Sequence, residues 1–451
     1  MTTEIRPAQS SPHPYIPNTL ADQQAMLATI GVGSIEELFE DIPESIRNPE
    51  LDLPDPFDEK DLKDHMMALA ARNIVGIPCF LGYGSYRRYQ PAIVSDITGR
   101  DENLTKYTPY QAEISQGNLE ASYVYQTMMC ILYDMDVSNT GMYDGATAMA
   151  EAALMAVRIK GRGRIVALDT VHPNWLEVTR TYLSGQETQL DLVNGEDDID
   201  QYLDDASALI VQSPNYLGSI EDLRKLGEKA KEADALFIVV ADPISLGMLK
   251  PPGEFGADIA VGEGQSLGNP THLGGVNLGI FTAKGEYVRQ MPGRIVGKAF
   301  DQQGRAGYVL TLQTREQHIR RERATSNICT AEQLVALAST VYLSALGPEG
   351  LRELAEMNYH LAHYTAEKIT SLTGFRLALE KDFFNEFVIE CPIAPAEVNK
   401  RLLQEGIIGG KDVSDRIPRG MLLCVTEMNS KEEIDYLVEV LAKIGGLNYA
   451  S

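Results

Sequence analysis

Between Arg164 and Phe281, six short apolar runs alternate with helical segments, and this alternation limits the fold more than any other feature. The runs are Arg164–Leu168, Thr188–Val193, Ala208–Val211, Ala235–Val240, Asp258–Val261 and Val276–Phe281. Between them, Asn174–Tyr182, Asp197–Leu203 and Ile220–Ala233 repeat apolar residues at helical spacing. Strands joined by helical crossovers imply an α/β fold, a mostly parallel sheet covered on both faces. Ligands in such sheets sit outside the carboxyl ends of the strands. The last two runs flank a glycine-rich loop, Val261–Gly275, which reads as strand, loop, strand and contains no lysine. Its glycines at 262, 264 and 268 miss the spacing of a dinucleotide fingerprint, and no crossover helix follows.

The flanking sequence predicts two further units. Residues 1–75 form an N-terminal helical arm: Thr19 caps a helix that ends at Gly31, and Ser34-Ile-Glu-Glu37 has the form of a capping box. Ile42–Phe57 is proline-rich and acidic, an extended stretch, and Asp61–Asn73 is amphipathic. This arm has no core of its own and needs a surface to lie on. Residues 76–346 make the large α/β domain, with helices expected over Tyr308–Arg323 and Thr330–Leu346. Residues 347–451 make a small C-terminal α+β domain.

At 451 residues, several packed units are expected. Lys+Arg 39 against Asp+Glu 64 leaves a net charge of −25, which argues against nucleic acid or an anionic membrane as the main partner. The five cysteines are scattered with no Cys-x-x-Cys pair, which fits a reducing compartment and no metal site. Met1–Pro17 lacks the apolar core of a signal peptide, and no apolar run reads as membrane-spanning, so the expected location is cytoplasmic.

Several residues are candidates for chemistry. In Tyr143-Asp-Gly-Ala-Thr-Ala148, the residues Gly145, Ala146 and Thr147 open a long helix, where backbone N–H groups can hold an anion or merely follow a plain N-cap. Asp242 ends an apolar strand, where a carboxylate can hold a protonated ring nitrogen or simply start an Asp-Pro turn. His172 also follows a strand, as a ring contact or a loop hydrogen-bonder. Tyr86, Tyr107 and Tyr110 lie in tyrosine clusters with Gly or Pro that either display hydroxyls to a site or pack a seam.

This order of motifs resembles the fold type I pyridoxal-phosphate enzymes. Three stretches, Lys106–Gly117, Gly262–Gly268 and Gly307–Glu322 with Ala324–Thr330, are similar to the α subunit of the two-chain glycine dehydrogenases, the P-protein family of the glycine cleavage system. The similarity runs from about Tyr15 to the C-terminus. It implies that Gly145, Ala146 and Thr147 correspond to the phosphate cradle, His172 to the ring-stacking histidine and Asp242 to the partner of the pyridine nitrogen. The family's Schiff-base lysine, aligned through Pro270 and Gly274-Gly275, falls on Gln265. Glutamine cannot form an imine. The resemblance therefore implies a chain without the catalytic lysine, a remnant cradle, and a β subunit that holds pyridoxal phosphate covalently, in an expected α2β2 assembly. Glycine would be decarboxylated there and its aminomethyl group passed to the lipoyl arm of the H-protein. Tyr107, Tyr110 and Tyr86 would reach the partner's site. The alternatives are a degenerate scaffold that touches no substrate, and a free-standing enzyme using Lys298 or Lys250.

Overall fold

The computed structural model describes residues 18–47, 49–195, 199–271, 276–328 and 332–446; the expected signal-free leader, Gly274-Gly275 and Cys329-Thr330 lie outside them. The chain divides into two compact units, Met1–Val75 and Gly76–Ser451.

In the first unit, helix Leu20–Ile30 begins with a reciprocal cap. The Thr19 hydroxyl accepts from the Asp22 N–H at 3.2 Å, and the Asp22 carboxylate accepts from the Thr19 N–H at 2.8 Å. Gly31, at φ 91°, ends it in the left-handed region. The capping box expected at Ser34 does not form. Glu36–Phe39 is a single 3₁₀ turn without a side-chain cap, because Glu37 reaches past Ser34 to the Gly33 N–H at 3.1 Å. A second helix, Glu59–Ala70, starts on Asp58. None of these helical segments contains a buried residue, and Leu20, Leu53, Met67 and Ile74 are all largely exposed.

The second unit contains a seven-stranded sheet. Its strands are β1 (Val137–Ser138), β2 (Arg164–Leu168), β3 (Gln189–Val193), β4 (Ala208–Gln212), β5 (Leu236–Val240), β6 (Ile259–Glu263) and β7 (Gly279–Ala283), in the order β1-β7-β6-β5-β4-β2-β3. Only β7 runs against its neighbours. The period of two along each strand builds two cores. Val166, Leu209, Val211, Phe237, Val239 and Ala260 face one side, where helices Gln116–Tyr133 and Leu223–Glu232 cover them. Ile165, Ala167, Ile210, Ile238 and Val261 face the other, under helices Gly145–Lys160 and Pro173–Leu183.

Residues 308–311, expected to be helical, are instead strand. β8 (Ile295–Phe300) and β9 (Ala306–Thr311) form an antiparallel hairpin. The turn is set by the Asp301 carboxylate, which accepts from the Gln303 and Arg305 N–H groups. Val296 and Leu310 of the hairpin bury against Leu119. The short helix Ala92–Thr98 also escaped the periodicity reading.

A long helix, Gln333–Thr370, links the two cores of the second unit. It breaks at Gly347, whose φ of 64° no helix permits and which precedes Pro348. By length and composition it could cross a membrane, unlike the sequence reading, yet much of its apolar surface is buried in this fold. Val335, Ala338 and Tyr342 enter the core of the large sheet, and Ala362, Ala366 and Ile369 enter that of the small one. The small sheet pairs β10 (Arg376–Leu377), β11 (Glu386–Glu390), β12 (Lys411–Asp412) and β13 (Gly420–Cys424) in the order β10-β11-β13-β12, all antiparallel. Helices Pro395–Gln404 and Lys431–Gly446 complete its core.

One glycine ties the two sheets together. Gly218, after β4, has φ 89°, and a Cβ there would lie 2.0 Å from the Glu386 carbonyl oxygen. Gly218→Ala is expected to cost roughly 2–5 kcal/mol through left-handed strain and overlap. The thermal unfolding midpoint checks this, and an unchanged midpoint refutes it.

Candidate active site

The carboxyl ends of β4, β5 and β6 converge on one small cavity. Gln212, Asp242 and Glu263 line it, with Gly84, Tyr86, Trp175, Gln265 and Ser266. Its volume is about 40 Å³. The Gly145–Lys160 helix abuts it through a hydrogen bond described below.

Asp144 caps that helix. Its carboxylate accepts from the Thr147 N–H at 2.7 Å, and the Thr147 hydroxyl accepts from the Asp144 N–H at 3.3 Å. Thr147 is thereby committed to a capping box, the plainer of the two roles open to it. Ala146, half-buried, sits in the same first turn. The Gly145 N–H donates to the Glu263 carboxylate at 3.0 Å. The other Glu263 oxygen accepts from the backbone N–H groups of Gln265 and Leu278, each at 2.9 Å. Burial pushes the Glu263 carboxyl up to about 7, although these three donors pull the other way. Trp175 closes the wall: a Cβ added to Gly145 would stand 2.3 Å from its ring. Gln265 is buried, and its amide donates to the Asn269 carbonyl.

His172 is buried and N-caps helix Pro173–Leu183 through Nδ1, which accepts from the Asn174 N–H at 3.2 Å. Its ring packs on Tyr83, with centroids 4.4 Å apart, and burial lowers its pKa against a hydrogen bond to the Tyr83 carbonyl. Asp242 accepts from the Ile244 N–H at 3.3 Å and lies 4.0 Å from the Arg88 guanidinium. Burial raises its pKa, with Arg88 opposing. Tyr86 lines the cavity and donates to Glu386 at 2.7 Å.

The other two tyrosines stand apart from this cavity. The Tyr110 hydroxyl takes a hydrogen bond from Arg294 at 2.9 Å, and Tyr107 is three-quarters exposed. Neither lysine considered for a free-standing enzyme lines the cavity. Lys250 is exposed and pairs with Glu254 at 2.8 Å, and Lys298 is exposed on β8.

Sequence reasoning passed over Glu263, Trp175, Arg88 and Glu386. Glu263 had a readable signal, since it ends a strand as Asp242 does. Trp175, the sole tryptophan, follows His172 by three positions. Arg88 and Glu386 offered none, because their partners are remote in sequence.

Comparison with known proteins decides the family. The model for "Glycine cleavage system P-protein" matches residues 13–441. The chain belongs to this family. It is 48% identical over 441 residues to the probable glycine dehydrogenase (decarboxylating) subunit 1 of Thermomicrobium roseum, covering 95% of this chain and 98% of that protein. The crystal structure of glycine decarboxylase (P-protein) in inhibitor-bound form superposes with a TM-score of 0.88 and 42% identity, covering 96% of this chain and all of that one. Glutamate decarboxylase of Lactobacillus brevis, at 15% identity and a TM-score of 0.66 over 92% of this chain and 98% of its own, shares the fold alone. The P-protein architecture, a mostly parallel sheet with a smaller α+β unit, is that of fold type I enzymes.

The residues of this P-protein chain do not fit a pyridoxal phosphate of its own. The Val261–Gly275 stretch contains no lysine, the Gly145 N–H already holds a carboxyl group, and His172 packs on Tyr83. The cavity of about 40 Å³ is far below the roughly 300–1,000 Å³ of ordinary ligand sites.

Proposed function

We propose that this chain is the lysine-free α subunit of a two-chain glycine dehydrogenase (decarboxylating), active only beside a β subunit that binds pyridoxal phosphate. Gln265 in the lysine's position carries this reading, because without an amine the chain cannot hold the cofactor as an imine. The relatives named as subunit 1 support a second subunit. Decarboxylation of glycine would then occur in the β chain, with the aminomethyl group leaving on the lipoylated H-protein. An α2β2 assembly working in the cytoplasm is the arrangement we infer. The native complex, purified and separated into its chains, tests this by the cofactor spectrum of each. The absorbance should follow the β chain only, and a cofactor band on this chain overturns the reading.

Tyr107 is our proposed contributor to the partner's site, being exposed with no hydrogen bond of its hydroxyl among the described residues. Tyr110 and Tyr86 are further candidates, although Tyr86 is already hydrogen-bonded to Glu386. Tyr107→Phe is expected to slow glycine–bicarbonate exchange by the complex about tenfold, equivalent to about 1.4 kcal/mol. Unchanged exchange would favour a chain that supports its partner without touching substrate.

A further inference from the structure

We propose that the Glu263 carboxyl group is an internal occupant of the place where a fold type I enzyme holds its cofactor's phosphate, and that this side chain, more than the missing lysine, closes the chain's own cofactor site. The inference rests on the family reading for the identity of the ligand excluded. Its test uses this chain alone, so it can fail while the two-subunit reading stands.

Three observations converge on it. A sixteen-residue helix points its first turn at the cavity wall, and its Gly145 N–H is bound by Glu263 at 3.0 Å. The backbone N–H groups of Gln265 and Leu278, from opposite ends of the glycine-rich loop, converge on the same carboxylate at 2.9 Å each. Amide donors from a helix start and a flanking loop are how such folds hold a phosphate, and here one side chain receives them. The indole of Trp175 covers Gly145 so closely that only a residue without a Cβ fits beneath it.

A second anion cannot share this seat. Glu263 already uses the donors, its side chain occupies the seat, its charge above about pH 7 repels another anion at contact distance, and Asp144 takes the Thr147 N–H that would otherwise serve. Restoring an amine at position 265 changes none of this. Glu263 also acts as a strut: its side chain binds the helix start to both ends of the loop between β6 and β7.

Trp175, the chain's single tryptophan, lies against the seat and reports on it by fluorescence. The probe is inorganic phosphate, small enough for the space a glutamate side chain would leave. Titrated into the full-length chain, it should give no saturable change with wild type or with Gln265→Lys. Glu263→Ala should give one, binding phosphate at least about tenfold more tightly than wild type. A saturable response in wild type or Gln265→Lys overturns the proposal, as does a folded Glu263→Ala that responds no better than wild type. Crystals of the wild-type chain grown from phosphate give a check independent of any variant. The Glu263 carboxylate is expected on the Gly145 N–H, and phosphate found there instead overturns the proposal.

Discussion

Replacing Arg88 with leucine is expected to destabilise the chain by about 3–5 kcal/mol, the range for removing one partner of a buried ion pair. The Arg88 guanidinium is buried, donates to Glu427 at 3.0 Å and to Asn358 at 2.6 Å, and lies 4.0 Å from Asp242. It also lies over the Tyr86 ring, 5.5 Å from its centroid. Without it, Glu427 and Asp242 would be left in a poorly solvated space with no cation in place. Their remaining contacts, Glu427 with the Tyr89 N–H and Asp242 with Ile244, are backbone hydrogen bonds that do not neutralise charge. The denaturation midpoint of Arg88→Leu should fall well below that of wild type, and Arg88→Lys should recover only part of the loss, since one ammonium cannot span the guanidinium's partners. A midpoint within error of wild type for Arg88→Leu would mean that the acids titrate to neutrality at no cost.

Stability should fall as pH rises from about 4.5 to about 7. Burial lifts the carboxyls of Glu386 and Glu263 to about 7 from an ordinary 4.5, against their hydrogen bonds. In that window the unfolded chain releases both protons while the folded chain keeps them, so ionisation favours unfolding. Below about 4.5 both states are protonated and the penalty is absent. Above about 7 it is complete, at up to about 3 kcal/mol for each group. Carboxylates pulled down by cations, such as Asp234 beside Lys160 and Arg162, act at lower pH, and His172, its pKa lowered by burial, offsets part of the decline below about 6.5 without reversing the effect of two carboxyls. Denaturation midpoints taken across the window should decline, and Glu386→Gln should flatten the decline by its share. An equal slope in variant and wild type would show that Glu386 titrates normally.

Six of the seven strands of the large sheet were legible because each run gathers apolar residues in a span too short for a helix, with turn residues on both sides; β1, only two residues long, was not. The helix at Gly145 was legible from its cap. The β8–β9 hairpin was not, since Tyr308–Thr311 suits a helix as well as a strand until Leu119 and Val296 are placed beside it. The site divides in the same way. The proposed placement of Gln265 in the lysine's position comes from aligning prolines, a matter of order along the chain. The role of Glu263 depends on Gly145, 118 positions away, and on Leu278 across the loop. That of Arg88 depends on Asn358 and Glu427, 270 and 339 positions away.

The amino-acid order by itself determined the strand-and-helix alternation, the family, and a Val261–Gly275 loop without a lysine, because each is written in neighbouring residues. Only the tertiary structure decided that the Glu263 carboxyl group takes the N–H groups of Gly145, Gln265 and Leu278. Burial and the direction of backbone N–H groups are set by packing between distant segments, and they bring the Glu263 side chain against the start of the Gly145–Lys160 helix.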